Sequence, residues 1–183
     1  KVKKINKHLL PKPPYVICAN HASYLDIVIM FIAIPETFLF LGKAELLKWP
    51  IVRIFFRNMD IPVDRTNSVK ARKSIELTKQ AIQKGYSVAI FPEGLIPSEN
   101  IPKMMPFKKG AFVLAVSQEA PIVPITFTTN WKLFSTEVDP FGGGRPGIAK
   151  VVFHPAINTI NKTDKDIPEL IQATFDVIDS KLK

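Results

Sequence analysis

A chain of 183 residues is long enough for one domain with a sizeable core, and its hydrophobic content of 46% excludes a disordered chain. Lys and Arg number 25 against 16 Asp and Glu, so the formal net charge of +9 favours a polyanionic partner, such as nucleic acid, an anionic membrane or an acidic carrier. The single cysteine excludes an internal disulfide and fits a reducing compartment.

The first fourteen residues are basic and rich in proline. We expect a basic N-terminal arm over residues 1–14, which either approaches a membrane surface or is simply solvated. The sequence shows no signal-peptide pattern, and its longest apolar run, residues 27–34, is too short for a transmembrane helix. Because the chain begins with Lys1 and not with Met, we expect a fragment or processed form, and an upstream membrane segment remains open.

The most informative stretch covers residues 15–31. An apolar run over residues 15–19 predicts a buried strand, the pair Asn20-His21 ends it, and the next apolar run, over residues 27–34, predicts a helix. His21 therefore follows a strand, and Asp26 lies in the first turn of a helix. Ligands of open α/β sheets bind at this edge.

Two interpretations of His21 and Asp26 stay open at this point. On one continuous helix, residues five apart point roughly 140° away from each other, whereas a loop at His21 can fold the imidazole over the carboxylate. Asp26 would then fix the tautomer and leave the other ring nitrogen as a base, with a substrate hydroxyl as the nucleophile. Alternatively, Ser23 and Asp26 form a capping box that only closes the helix, and His21 is an ordinary loop histidine.

The remaining chain alternates between strands and helices. Further strands are predicted over residues 37–41, 59–63, 86–91, 121–128 and 149–153, and further helices over residues 44–58, 68–84 and 107–118 and from residue 166 onward. This order predicts one α/β domain over residues 1–183, a single layer with a mostly parallel or mixed central sheet flanked by helices. The helix over residues 44–58 carries arginines opposite bulky apolar side chains, which fits an interfacial helix or one packed on the core.

Charged side chains follow the predicted strands. Arg65 follows the third strand and can bind a phosphate or carboxylate, although an isolated arginine also occurs in surface ion pairs. Glu93 and Gly94 follow the fourth strand, and Gly94 permits a tight backbone approach. Lys108 and its neighbour Lys109 open a helix, where two cations oppose the macrodipole and a bound anion would relieve the conflict. If the strands run parallel, His21, Arg65 and Glu93 converge on one edge.

Other patterns carry no chemistry. Residues 142–147 read literally as GxGxxG, but they contain a proline and precede a strand instead of a helix, so the dinucleotide fingerprint fails. His154 follows the last strand alone and is interpreted as structural. No grouping of His and Cys has the spacing of a metal site, and we expect none. Cys18 is a rival nucleophile, but it falls inside a buried-strand pattern.

Four blocks in order resemble the glycerolipid acyltransferases, and most closely those that act on 1-acylglycerol-3-phosphate. Asn20 to Asp26 resembles the NHxxxxD block, and Phe91-Pro92-Glu93-Gly94 resembles the FPEG block. The other two blocks lie at residues 61–65 and 120–125, and a basic stretch at residues 106–111 is also similar to the family. One departure concerns Leu95, because the family usually has Thr or Ser and then Arg after FPEG. That departure leaves the acceptor's identity in doubt.

The resemblance implies acyl transfer from acyl-CoA or acyl carrier protein to the hydroxyl of a lysophospholipid, without a cofactor. It implies His21 as the general base and Asp26 as its orienter. Arg65 and Glu93 would contact the acceptor's head group, and Asn20, Gly94 and Lys108 would support substrate binding. The expected location is the cytoplasmic face of an anionic membrane, peripheral or anchored by an upstream segment. An acceptor without phosphate and a non-enzymatic basic membrane-binding module are the alternatives; a nucleic-acid partner is not expected, because no such motif is present.

Overall fold

The computed structural model describes residues 1–43, 60–63, 68–97, 100–134 and 143–182. Its strands are β1 Val2–Ile5, β2 Val16–Ala19, β3 Phe38–Lys43, β4 Asp60–Val63, β5 Ser87–Ile90, β6 Ile122–Phe127 and β7 Ala149–Phe153. Its α-helices are α1 Leu25–Ala33, α2 Ser68–Gln83, α3 Gly110–Ser117, α4 Asn130–Leu133 and α5 Ile167–Asp179, and short 3₁₀ turns cover Lys7–Leu9 and Asp164–Asp166.

Within these residues the strands form one seven-stranded sheet in the order β1-β7-β6-β2-β5-β3-β4. Strand β2 lies at the centre and pairs in parallel with β5 on one side and β6 on the other. Strands β3 and β4 continue the parallel set, whereas β7 pairs antiparallel with β6. The predicted fold class, a mixed sheet flanked by helices, is confirmed. The carboxyl ends of β2, β5 and β6 therefore meet at one edge.

The three central strands are buried on both faces, which explains why they read as continuous apolar runs. Side chains of β2 alternate between two clusters. Ile17 and Ala19 pack with α1 on one face, while Val16 and Cys18 pack with α3 and α5 on the other. Each large aliphatic side chain buried in this way contributes about 1.5–3 kcal/mol to the stability of the fold.

The N-terminal segment differs from the predicted basic arm. Strand β1 pairs in parallel with β7 at the edge of the sheet, and Val2 packs against the core cluster beside α1. Lys3 and Lys4 remain exposed. Four residues with two adjacent lysines carry too little apolar pattern to predict a strand, and the partner strand lies at the far end of the chain.

The predicted helix over residues 44–58 lies outside the described residues. Helix α4 was not expected, because four residues show no helical periodicity. Among the described residues, no helix has both the length and the apolar content needed to cross a membrane.

Candidate active site

The exit from β2 is fixed to the neighbouring strand by Asn20. Its amide nitrogen donates to the carbonyl of Phe127 at 3.1 Å, and its amide oxygen accepts from the Phe127 N–H at 2.8 Å. Phe127 is the last residue of β6, and Asn20 is buried. The NH₂ group and the oxygen of the Asn20 side chain are thus both hydrogen-bonded to the backbone of Phe127, and the predicted support of substrate binding by Asn20 stays a prediction.

His21 and Asp26 are in contact, as the loop interpretation predicts. The Nδ1 atom of His21 lies 3.0 Å from Oδ2 of Asp26, in a site where the carboxylate is fully buried. A carboxylate only accepts hydrogen bonds, so the neutral ring carries its proton on Nδ1 and presents a bare Nε2. Among the described residues, none is hydrogen-bonded to Nε2. The arrangement leaves one nitrogen free to take a proton.

The same carboxylate oxygen also closes the start of the helix. Oδ2 of Asp26 accepts from the backbone N–H groups of Ala22 at 2.7 Å and Ser23 at 2.9 Å. The hydroxyl of Ser23 receives the N–H of Leu25 and donates to the carbonyl of Phe134. The Asp26 carboxylate therefore both caps the start of the helix and contacts His21, so it does more than close the helix.

Asn130 is a member of the site that the sequence did not indicate. Its Nδ2 donates to Oδ1 of Asp26 at 2.8 Å, and it is fully buried at the first position of α4. The only available signal was its position just beyond the exit of β6, next to the block at residues 120–125. With Asn130, both oxygens of Asp26 are hydrogen-bonded.

The face of the imidazole is covered by Phe91. The two rings are stacked with their centroids 3.9 Å apart and their planes inclined by 10°. Phe91 follows β5 and also stacks on Phe40, which packs in the core. The sequence placed Phe91 in a motif without assigning it a role; the structure shows that it fixes the plane of the imidazole.

Glu93 joins two loops by means of its carboxylate. Oε1 accepts from the backbone N–H of His21 and Oε2 from that of Met105, each at 2.8 Å. Burial raises the pKa of Glu93 to about 7, against the opposing effect of the two backbone hydrogen bonds. Both oxygens are therefore used within the protein, and the predicted contact of Glu93 with an acceptor head group stays a prediction.

The other predicted residues divide by position. Gly94 has a φ of +80° and donates its N–H to the carbonyl of Phe91 at 3.0 Å, a turn that favours glycine. Lys108 is exposed, and its N–H donates to the carbonyl of Pro92 at 2.9 Å, which places it beside the Glu93 turn. Arg65 lies outside the described residues. The predicted convergence is thus confirmed for His21 and Glu93.

Two other reactive side chains, Cys18 and His154, are buried in the fold. Cys18 lies inside β2 with no exposed surface, and burial raises the pKa of its thiol to about 12. His154 is buried with Nε2 2.7 Å from the hydroxyl of Thr126, and burial lowers its pKa to about 4. The structural interpretation of both residues agrees with this geometry. Among the residues that the structure describes, no group of three or more His, Cys, Asp or Glu could hold a metal ion.

Comparisons with known proteins bear on this geometry. The model of the family described as "Acyltransferase" matches residues 1–128. The chain is 31% identical over 172 residues to 1-acyl-sn-glycerol-3-phosphate acyltransferase alpha of Mus musculus, covering 89% of this chain and 56% of that protein. It is also 31% identical over 160 residues to the beta enzyme of Homo sapiens, covering 86% of this chain and 56% of that protein. The chain thus spans about half the length of these curated relatives.

The fold has a solved counterpart. The crystal structure of the 1-acyl-sn-glycerophosphate (LPA) acyltransferase PlsC from Thermotoga maritima superposes with a TM-score of 0.81, over 99% of this chain and 70% of that one. The sequence identity of the pair is 21%, so the likeness concerns the fold.

Proposed function

This chain belongs to the acyltransferase family, and we propose that it transfers a fatty acyl group from acyl-CoA or acyl carrier protein to the free hydroxyl of 1-acylglycerol-3-phosphate, which yields phosphatidic acid. The observation that supports the proposal is the His21–Asp26 pair at 3.0 Å, held at the edge where parallel strands end. The names of the relatives point to the same acceptor.

The chemistry needs a base and a good leaving group. An alcohol is a poor nucleophile until its proton is removed, and Nε2 of His21 is suited to accept that proton at neutral pH. The acceptor oxygen then forms a bond to the thioester carbonyl carbon, and the bond from that carbon to sulfur breaks. The thiolate leaves with little acid assistance, since a free thiol has a pKa of about 8.5. The proton on His21 passes to the thiolate or to solvent, and no cofactor is required.

Asp26 stabilises the charge that this transfer creates. The imidazole is neutral before proton transfer and positive afterwards, so its attraction to the carboxylate strengthens as the reaction proceeds. Phe91 and Glu93 keep the ring plane and the backbone of His21 in place. The base is therefore oriented before substrate arrives, which reduces the entropic cost of the reaction.

The acceptor's phosphate requires cations, and the chain offers two from the predicted set. Lys108 is exposed beside the Glu93 turn. Arg65 comes two residues after β4 in the sequence and lies outside the described residues. A second acceptor class is motivated by Leu95, which is 47% exposed directly after Gly94. An apolar side chain at this point favours an acceptor whose head group carries no phosphate.

An acceptor panel tests the function and separates the two acceptor classes. The assay measures thiol release from a long-chain acyl-CoA with 1-acylglycerol-3-phosphate or with 1-acylglycerol, which differs only by the phosphate. The same assay is repeated with acylated acyl carrier protein as the donor in place of acyl-CoA. We expect thiol release that requires the phosphorylated acceptor and is lost in His21→Ala. Release with 1-acylglycerol alone would support the second class, and the absence of release with every acceptor would refute acyl transfer.

We also propose that an anionic membrane surface is the place of reaction, on the cytoplasmic face and with peripheral or anchored attachment. The net charge of +9 and the exposed Lys103 and Lys108 beside the active-site turn support this. Co-sedimentation with anionic and with zwitterionic vesicles checks it. We expect binding to the anionic vesicles alone and its decline with added salt, while equal binding to both would contradict the proposal.

A further inference from the structure

We infer that Asn130 is a positioning residue of the active site: its amide holds the Asp26 carboxylate and thereby keeps the proton of the neutral His21 ring on Nδ1. The inference rests on the proposed function for its kinetic readout, but its structural readout is independent of activity. Nothing in the motifs of the sequence points to Asn130, which contacts Asp26 from 104 positions away along the chain.

The two oxygens of Asp26 are held unequally. Oδ2 accepts from Nδ1 of His21 and from the N–H groups of Ala22 and Ser23. Among the described residues, Asn130 is the donor to Oδ1. A carboxylate turning about its terminal bond would exchange the two oxygens and misalign the one that faces His21. The bond from Asn130 opposes that rotation at the oxygen where the backbone donors do not act.

The orientation of the Asn130 amide follows from the chemistry. The Asp26 carboxylate has no proton to give, so the NH₂ group of Asn130 must face it, and the amide oxygen must face away. No described residue donates to that oxygen, although it is buried. A buried acceptor without a donor destabilises the fold, so the gain from Asn130 lies in its contact with Asp26.

Helix α4, which begins with Asn130, is held by hydrogen bonds at both of its ends. It begins directly after β6, and the hydroxyl of Thr129 joins it to β7 through the carbonyl of Ile148 and the N–H of Lys150. At its other end, Phe134 receives a hydrogen bond from the hydroxyl of Ser23 at 2.6 Å. The short helix therefore contacts the first turn of α1 at Asp26 and the loop of His21 at Ser23, and Thr129 fixes it to the sheet independently of Asp26.

Two variants and one control test the inference. Asn130→Leu nearly preserves the volume of the side chain but removes the donor, and Asn130→Ala removes both. Thr129→Val, the control, removes the neighbouring hydroxyl that holds α4 to β7 without touching Asp26. All four proteins, as full 183-residue chains, are compared by thiol release from acyl-CoA and by ¹⁵N NMR of the histidine rings, with the His21 signals assigned from His21→Ala.

We expect both Asn130 variants to lower kcat by about 10- to 100-fold with little change in KM, because the base is misplaced and not the substrate. We also expect the His21 ring to gain Nε2–H tautomer in both variants and not in Thr129→Val. Wild-type tautomer in a folded Asn130→Leu or Asn130→Ala protein would overturn the inference. So would an equal loss of kcat in Thr129→Val, which would indicate general damage to α4. If the wild-type protein released no thiol, the proposed function would fail, and the NMR comparison would still decide the role of Asn130.

Discussion

Replacing Asp26 with asparagine removes the charge behind His21 and leaves the side chain almost the same size. The introduced amide oxygen can still accept from His21, Ala22 and Ser23, which now surround Oδ2. Its NH₂ group would then face Asn130, whose own amide can rotate by half a turn to present the oxygen that has no described donor. The variant therefore isolates the electrostatic contribution of the carboxylate from its geometric one.

The expected loss of kcat follows from the distance between Nδ1 of His21 and Oδ2 of Asp26. Two unit charges 3.0 Å apart attract by about 5.5 kcal/mol at an effective dielectric constant of about 20. This attraction acts on the imidazolium of the transition state, and its full loss would slow the reaction by about 10⁴-fold. Three other donors share the carboxylate's charge, so we expect kcat to fall by about 10²- to 10⁴-fold, with KM nearly unchanged.

The assay is thiol release at saturating acyl-CoA and acceptor, measured for wild type, Asp26→Asn, His21→Ala and the double variant. Asp176→Asn serves as the matched control, because that carboxylate is exposed on α5 and accepts a hydrogen bond from the Gln172 side chain. We expect the control to retain wild-type kcat and the double variant to lose no more than His21→Ala. The reasoning is refuted if Asp26→Asn keeps kcat within about threefold of wild type, or if it lowers kcat equally without His21.

Three further predictions use the same site. His21→Ala should lower kcat for thiol release by about 10²- to 10⁴-fold, and full activity would exclude His21 as the base. Cys18→Ala should keep thiol release within about twofold of wild type, because the thiol is fully buried and its pKa is about 12; inactivity equal to that of His21→Ala would contradict this. The folded-state pKa of Glu93, about 7, lies above its ordinary 4.5, so its contribution to stability is present below pH 4.5 and is lost as the pH rises through 7. Urea unfolding should therefore show that the free energy of unfolding of the wild type falls by about 3 kcal/mol relative to that of Glu93→Gln across this pH range. A wild type that gains stability relative to the variant as the pH rises would contradict the direction of the pKa shift.

The central strands were predictable because burial on both faces requires a continuous run of apolar residues in the sequence. Strands β2, β5 and β6 lie within two residues of the predicted bounds, since each is a continuous apolar run ended by a polar or turn residue. Strand β1 has no such apolar run, because only its two end residues are half-buried. The contact between His21 and Asp26 was predictable for a related reason: both residues belong to one short loop, so their meeting depends on local geometry.

The contacts that support His21 from a distance were not predictable. Asn130 reaches Asp26 through the order of strands in the sheet, which places the exit of β6 beside that of β2. Glu93 was placed at the correct edge, but its partners are the backbone N–H groups of His21 and Met105. Every residue except proline carries such a donor, so no residue type in the sequence identifies the partner.

The geometry around His21 also determines the direction from which a substrate hydroxyl can arrive. Nδ1 contacts Asp26, the backbone N–H contacts Glu93, and one face of the ring is covered by Phe91. These contacts come from the helix that follows β2 and from the loop that follows β5, so they restrain the imidazole from different elements of the fold. Nε2 is the ring atom left without a described partner, and an acceptor must approach it along the edge where β2 and β5 end. The exposed Leu95 follows the Glu93 turn at this edge, and the exposed Lys108 lies beside that turn. We therefore expect substitutions at these two positions to change the choice of acceptor more than the rate of proton transfer.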